Sequence, residues 1–319
     1  MSLGSVSVPV KDGLSIVFHK LTGTPIPGTI EKSLVSILWE IRMPRTFTAF
    51  FVGAAISVSG VVMQSVLQNP LASSYTMGVS AGATLGVAVM MMTGFDASLF
   101  GMFTLPIAGF LSGFLTVIFV IGVSARIDHN MHNHTIILFG MVFSLFVNAV
   151  LTLISSLYSE HIQRLILWQM GSFAGRRWEH AGILLIICVA GVIIACAFHR
   201  ELDLMSFGEN TAEAVGVDTK KSRRILLILS SVLTGAAVCF TGVIGFIDLA
   251  APHAVRRIFG SSHRIVLPMS VLLGGSFMAL ADLISRTILS PQEIPVGAVT
   301  ALLGAPFFLW VYFGTGRKR

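Results

Sequence analysis

Two arginines in the segment RMPR, Arg42 and Arg45, stand at the head of a long apolar run, with Pro44 where a first helical turn tolerates its missing N–H. Arg286 closes another apolar run four residues after Asp282, the spacing of a helical ion pair. Guanidiniums gathered at such ends could hold the carboxylates of an acidic partner. A second group is polar yet embedded in apolar sequence: Gln64, Gln68, Asn69, Asp248 and His253. Groups of this kind satisfy backbone freed by a proline or line a path for a solute. Asp248 is the strongest candidate, because a charge at a bilayer centre costs about 2.5–3.5 kcal/mol on insertion scales. A third group is the polar loop GENTAEAVGVDTKKSRR, 208 to 224, whose Ala212, Val215 and Val217 offer a small apolar face to a partner.

Other motifs point away from bond-making chemistry. DHNMHNH at 128 to 134 gathers His129, His132 and His134, but no Cys or carboxylate cluster completes a metal site, so a solvated polar loop is expected there. Cys188, Cys196 and Cys239 lie in apolar runs without ligand spacing and read as packing residues. The chain has no G-x-x-x-x-G-K-[ST], HExxH, GxSxG or paired-cysteine motif. No catalytic residue, no metal site and no cofactor is therefore expected, and energy from a nucleotide would have to come from another polypeptide.

The elements that position these residues follow from composition. Of 319 residues, 54% are hydrophobic and 11% charged, and mean hydropathy is +0.85. Soluble domains carry about 25% charged residues, so water is not the main solvent. Apolar runs fall at about 46 to 67, 76 to 95, 99 to 124, 135 to 158, 181 to 199, 225 to 247, 265 to 286 and 295 to 313, each near the length needed to cross a bilayer. Between them DLAAPHAVRRIFG, 248 to 260, is too short to cross alone and reads as a half-helix facing protein or water. The pairs Gly78/Gly82, Gly82/Gly86 and Gly109/Gly113 predict close helix packing.

The net charge of +6 lies mostly at the ends of apolar runs, which argues for basic membrane-flanking loops and against a nucleic-acid partner. The linker 200 to 224 and the terminal Arg317, Lys318 and Arg319 read as cytoplasmic, which puts 42 to 45, 159 to 180 and 286 to 293 outside. The same parity puts the first 40 residues outside and predicts a first membrane helix missing from the chain. An amphipathic surface segment, Ile30 to Ile41, is the alternative.

GAAISVSGVVMQSVLQNPLA (53 to 72) aligns with GAAVCFTGVIGFIDLAAPHA (235 to 254) at a constant offset of 182, and Arg42 and Gly78 meet Arg224 and Gly260 at that offset. With opposite predicted senses, this reads as an inverted repeat, copies about 42 to 160 and 224 to 313, within one membrane domain, 1 to 319. Pro70 and Pro252 are expected to end helices.

RMPRTFTAFFVGAAISVSGVVMQSVLQNPLA with GVSAGATLG, LWQMGSF, ELDLMSFGENTAEAVGV, GVIGFIDLAAPHAVRRIFGSSHR, ADLISR and EIPVGAVTALLGAPFFLW resemble the FecCD-type permease subunits of ABC importers for ferric siderophores, haem and cobalamin. The resemblance implies an all-α polytopic membrane protein with the type II importer permease fold: ten helices, the first apparently lacking here. It implies a bacterial or archaeal cytoplasmic membrane and four kinds of partner: two cytoplasmic ATPase subunits, an extracytoplasmic binding protein, a second permease copy or paralogue, and the lipid bilayer. Carried over, Arg42, Arg45 and Arg286 would meet carboxylates of the binding protein. Gly208, Glu209, Ala212, Glu213 and Gly216 would belong to the element that couples to the ATPase, while Gln64, Asn69, Asp248 and His253 are pathway candidates. Asp248 stands where the family usually has Gly, which predicts an altered stretch of pathway. The rival reading is a secondary transporter driven by an ion gradient, which an inverted repeat alone would permit.

Overall fold

The computed structural model describes residues 8–28, 30–93, 101–158 and 162–313, and every regular element among them is helical. In chain order these are α1 (Val10–Thr22), α2 (Lys32–Ser36), α3 (Met43–Val66), α4 (Val79–Thr93), α5 (Thr104–Ile127), α6 (Asn133–Leu157) and α7 (Ile162–Gln169). There follow α8 (Trp178–Ala197), α9 (His199–Ser206), α10 (Glu209–Ala214), α11 (Thr219–Thr241), α12 (Ile247–Phe259), α13 (His263–Ser285) and α14 (Val296–Phe313). Six helical stretches are long and apolar enough to cross a membrane, and two shorter apolar helices, Val79–Thr93 and Val296–Trp310, complete the eight predicted runs. The terminal Arg317 to Arg319 lie outside the described residues, as does the start of the 99 to 124 run.

α3 is the axis of the molecule, packed on α8, α11, α12 and α13. Its composition explains this position. Water cannot drive helices together inside lipid, so contact depends on how closely backbones approach, which small residues permit. Gly53 lies against the backbone of Gly274 in α13, and Gly60 against the backbone of Asp248 in α12, where a Cβ would collide. The predicted glycine pairs act the same way between α4 and α5: Gly82 and Gly86 receive Thr116 and Ser112, and Gly113 lies on the carbonyl of Val79.

Three expectations change. The segment read as an amphipathic surface stretch continues through a π-helical turn, Ile37–Arg42, into α3, giving one 35-residue helical stretch, Lys32–Val66. The 76 to 95 run begins later than predicted, because a 3₁₀ turn, Ser74–Met77, precedes α4. The prolines at the repeat offset do not close equivalent helices: Pro70 sits in the turn after α3, whereas Pro252 lies inside α12. The match fails after Gly60, which is mid-helix in α3, while Gly242 ends α11.

Candidate functional site

Two of the four pathway candidates, Gln64 and Asp248, meet along a polar seam at the junction of α3, α9, α12 and α13. Gln64 Nε2 donates to the backbone carbonyl of Asp248 (3.1 Å), and Arg256 of α12 donates to Gln64 Oε1 and to Ser65 Oγ (3.1 Å). Ser65 Oγ lies 2.6 Å from His263 Nε2, whose Nδ1 lies 2.6 Å from Asp203 Oδ1 in α9. Asp248, buried in the first turn of α12 where the helix dipole favours a carboxylate, accepts from Ser73. The order Asp203, His263, Ser65 is the bonding pattern of a nucleophilic triad. With Ser65 at 4% and His263 at 2% exposure, no substrate could reach it, and Ser65 donates to the carbonyl of Val61. The seam is therefore a relay that joins helices.

Asn69 and His253 do not join this seam. Asn69 Oδ1 accepts from the Leu71 amide (2.9 Å), organising the turn after α3. His253 packs its ring against Phe308 of α14, centroids 5.7 Å apart. A second polar knot was invisible in the sequence. Ser59 Oγ lies 2.6 Å from Ser74 Oγ, 2.6 Å from Ser230 Oγ and 2.7 Å from Thr234 Oγ1, tying α3, the 3₁₀ turn and α11. Single serines in apolar helices give no spacing signal; only the fold gathers them.

The three outer arginines are close together but not equivalent. Arg45 is 7% exposed and donates to Asp282 from Nε (2.9 Å) and Nη2 (2.8 Å), and to Glu293 Oε1 from Nη1 (2.7 Å). In this structure it is thus bonded within its own chain. Arg286 Nε stands 3.6 Å from Asp282 Oδ2, and Arg42 is near enough for its charge to oppose that of Arg286. Arg42 is 4% exposed, so Arg286 is the least buried of the three.

The loop expected to couple is ordered. Gly208 (φ 117°) and Gly216 (φ 93°) bracket α10 with backbone that residues bearing a Cβ rarely adopt. Glu209 pairs with the fully buried Arg223 (2.8 Å), and Thr219 donates to Glu213 Oε1 (2.6 Å). Ala212 is fully buried, so it anchors the helix and the exposed apolar groups are Val215 and, just before it, Phe207 at 77% exposure. The sequence reading therefore had Ala212 on the wrong side. In the 128 to 134 tract, slight desolvation of Asp128 is outweighed by donors at the His132 amide and ring, the Asn130 amide and Thr135, which hold its carboxyl well below the usual carboxylate range. Met131 from this loop is buried, and its carbonyl accepts from Arg223.

A cavity of about 460 Å³ opens between the 3₁₀ turn, α4, α6 and α7, lined by Tyr75, Ser80, Thr84, Ser144, Asn148 and Gln169. Ala81, Val243 and Gly245 complete the wall, so uncharged hydroxyls and amides alternate with apolar surface.

With this arrangement of helices in hand, comparison with known proteins is decisive. The FecCD transport family model matches residues 1–313. The chain belongs to that family. It is 37% identical over 308 residues to an uncharacterized ABC transporter permease protein of Bacillus subtilis, covering 97% of this chain and 87% of the relative. It is 35% identical to a cobalamin import system permease protein of Halobacterium salinarum (96% and 81%), and 34% identical to a hemin transport system permease protein of Yersinia pestis (100% and 93%). A solved inward-facing conformation of a putative metal-chelate type ABC transporter superposes with a TM-score of 0.81 at 29% identity, covering 96% of this chain and 98% of that one. The fold is accordingly that of a multi-pass ABC permease, as the motifs implied.

Within this family fold, the sequence found the residues carried by motifs and missed those assembled across helices. Asp203, His263 and Arg256 stand only inside longer motifs, and Ser73 lies in none. Ser80, Thr84 and Gln169 stand inside GVSAGATLG and LWQMGSF, but nothing in those motifs marks them as sharing one cavity with Tyr75, Ser144 and Asn148.

Proposed function

We propose that this chain is the membrane permease of an ABC importer that moves an iron-siderophore, haem or cobalamin type cargo, delivered by an extracytoplasmic binding protein and driven by separate ATPase subunits. The observation that carries this reading is the α9–α10 module: a rigid polar element, braced by Glu209 and Arg223, with Phe207 and Val215 exposed beside it. The whole-length likeness to permeases for cobalamin and hemin supports the cargo class. The uncharged 460 Å³ cavity suits it too, because many weak polar contacts let a bulky chelate bind and still leave. A second copy of the chain would complete the path. At the outer face, an acidic lobe of the binding protein meets Arg286, with Arg45 holding Asp282 in place.

The test is uptake into sealed vesicles containing this permease, its ATPase and its binding protein. Uptake should need ATP and all three proteins. Uptake that persists without the ATPase and collapses with an ionophore would overturn the reading.

A further inference from the structure

Tyr75 reaches the wall of the cavity of about 460 Å³ from the 3₁₀ turn, Ser74–Met77, while Val243 and Gly245 reach the same wall from the link between α11 and α12. Two hydrogen bonds close these segments into a ring. Ser73, which caps the turn, accepts from the Tyr75 amide (3.1 Å) and gives its one hydroxyl proton to Asp248 Oδ2. Tyr75 Oη gives its proton to the carbonyl of Ile244 (2.7 Å). The turn is thus tied to the link through its cap and through the side chain that it presents to the cavity. Thr76 Oγ1 donates to the Ser73 carbonyl (2.6 Å) and stiffens the turn, and Gly140 of α6 lies against the backbone of Thr76 and Met77, where a Cβ would collide.

The other half of the ring is held as firmly. Gly60 of α3 lies on the backbone of Asp248, and Gln64 donates to its carbonyl (3.1 Å). Phe246, two residues earlier, takes φ 72°, a conformation that costs a residue with a Cβ about 1–3 kcal/mol and persists only where the surroundings enforce it. Here its carbonyl accepts from the amides of Leu249 (3.2 Å) and Ala250 (2.8 Å), and its Cβ lies against Gly304 of α14. Asp248 is 3% exposed, and a buried carboxylate is a costly way to begin a helix. The helix dipole offsets at most about 2 kcal/mol of that. What the carboxylate holds, and an apolar residue could not, is Ser73.

We propose that Asp248 is a positioning residue of the cargo path: acting through Ser73, it fixes the 3₁₀ turn, and with it Tyr75, on the link between α11 and α12, so that the two segments form one wall of the cavity and move as a unit. The role rests on cargo passing this cavity, as the importer reading has it. Asp248 itself touches no cargo. A ring closed by two bonds keeps its shape only while both hold, because either bond alone leaves the turn free to pivot about it, and a wall displaced by about 1 Å no longer fits its solute.

The test uses the permease with its ATPase and binding protein in sealed vesicles, offered cyanocobalamin, hemin and a ferric hydroxamate in turn; the cargo that the parent takes up serves for the variants. Asp248→Ala and Tyr75→Phe should each lower uptake at saturating binding protein about ten-fold, the loss of one hydrogen bond, with the half-saturating concentration of binding protein unchanged. Ser73→Ala, which breaks the same bond as Asp248→Ala from its other side, should match it. Asp248→Asn keeps an oxygen for Ser73 and should recover most of the uptake. Asp248→Ala combined with Tyr75→Phe should fall no further than either alone, because one broken bond already opens the ring. Losses that multiply to about a hundred-fold in the double variant would make the two bonds independent packing and overturn the proposal. Full uptake by Asp248→Ala in a transporting importer would overturn it as well. A parent that takes up none of the three cargoes would overturn the importer reading, and this proposal with it.

Discussion

Arg45 spends its planar fork on two acids at once, Asp282 and Glu293, and Asp282 is 1% exposed. Only a guanidinium has the fixed donors to serve both. Arg45→Ala should therefore leave a buried carboxylate unpaired and cost about 3–5 kcal/mol of stability, read as a large fall in melting temperature in detergent. Arg45→Lys should recover part of it, losing at least one charged hydrogen bond worth about 1.5–3 kcal/mol. Arg286→Gln removes the least buried guanidinium of the three and leaves Arg45 on its two acids, so it should weaken binding-protein docking in a salt-sensitive way; a melting temperature that falls as far as in Arg45→Ala would count against that division. The RMPR motif and the Asp282/Arg286 spacing were legible in the sequence as a charged outer face. The division of labour within it was not, because Arg45 reaches an acid 237 residues away.

At the scale of elements, the helices were legible from apolar run length, and the glycine pairs correctly indicated close packing of α4 on α5. Helix ends were not, because the π-helical turn at 37–42 and the 3₁₀ turn at 74–77 are local departures that hydropathy does not register. Nor were the polar ties between helices. The Asp203–His263–Ser65 relay joins α9, which adjoins the coupling loop, to α13 and α3, and Arg256 extends it into α12. An imidazole bonded through both nitrogens holds its two neighbours at one separation. His263→Ala should leave a folded protein in which the movement of α9 no longer reaches α12. In the reconstituted importer, ATP hydrolysis should continue while cargo moved per ATP falls several-fold; an unchanged ratio would show that the relay is only packing. Ser59→Ala tests the hydroxyl knot by removing its hub: Ser74 and Ser230 keep each other (2.6 Å) while Thr234 loses its hydroxyl partner, at about 1–3 kcal/mol. A melting temperature within error of the parent would mean that the three remaining hydroxyls satisfy one another.

For the whole molecule, the question is how a partner at one end moves a path at the other. α10 does not touch the cavity, so force must pass through rigid contacts. Two lead away from it: Glu209 to Arg223 at the head of α11, whose middle carries Ser230 and Thr234 of the Ser59 knot, and α9 through His263 to α3. Both need α10 held firmly against the bundle and gripped from outside. Ala212 supplies the inner hold by burial, and Phe207 and Val215 are left to supply the grip. Phe207→Glu with Val215→Glu should therefore abolish co-purification of the ATPase without changing the melting temperature of the permease, since both side chains are exposed. Glu209→Gln should act differently. It loosens α10 from Arg223 but leaves the gripping surface intact, so the ATPase should still bind while transport falls. Binding that survives the double glutamate substitution would move the ATPase contact elsewhere, and equal loss of binding in Glu209→Gln would mean that the ion pair shapes the contact rather than transmitting through it.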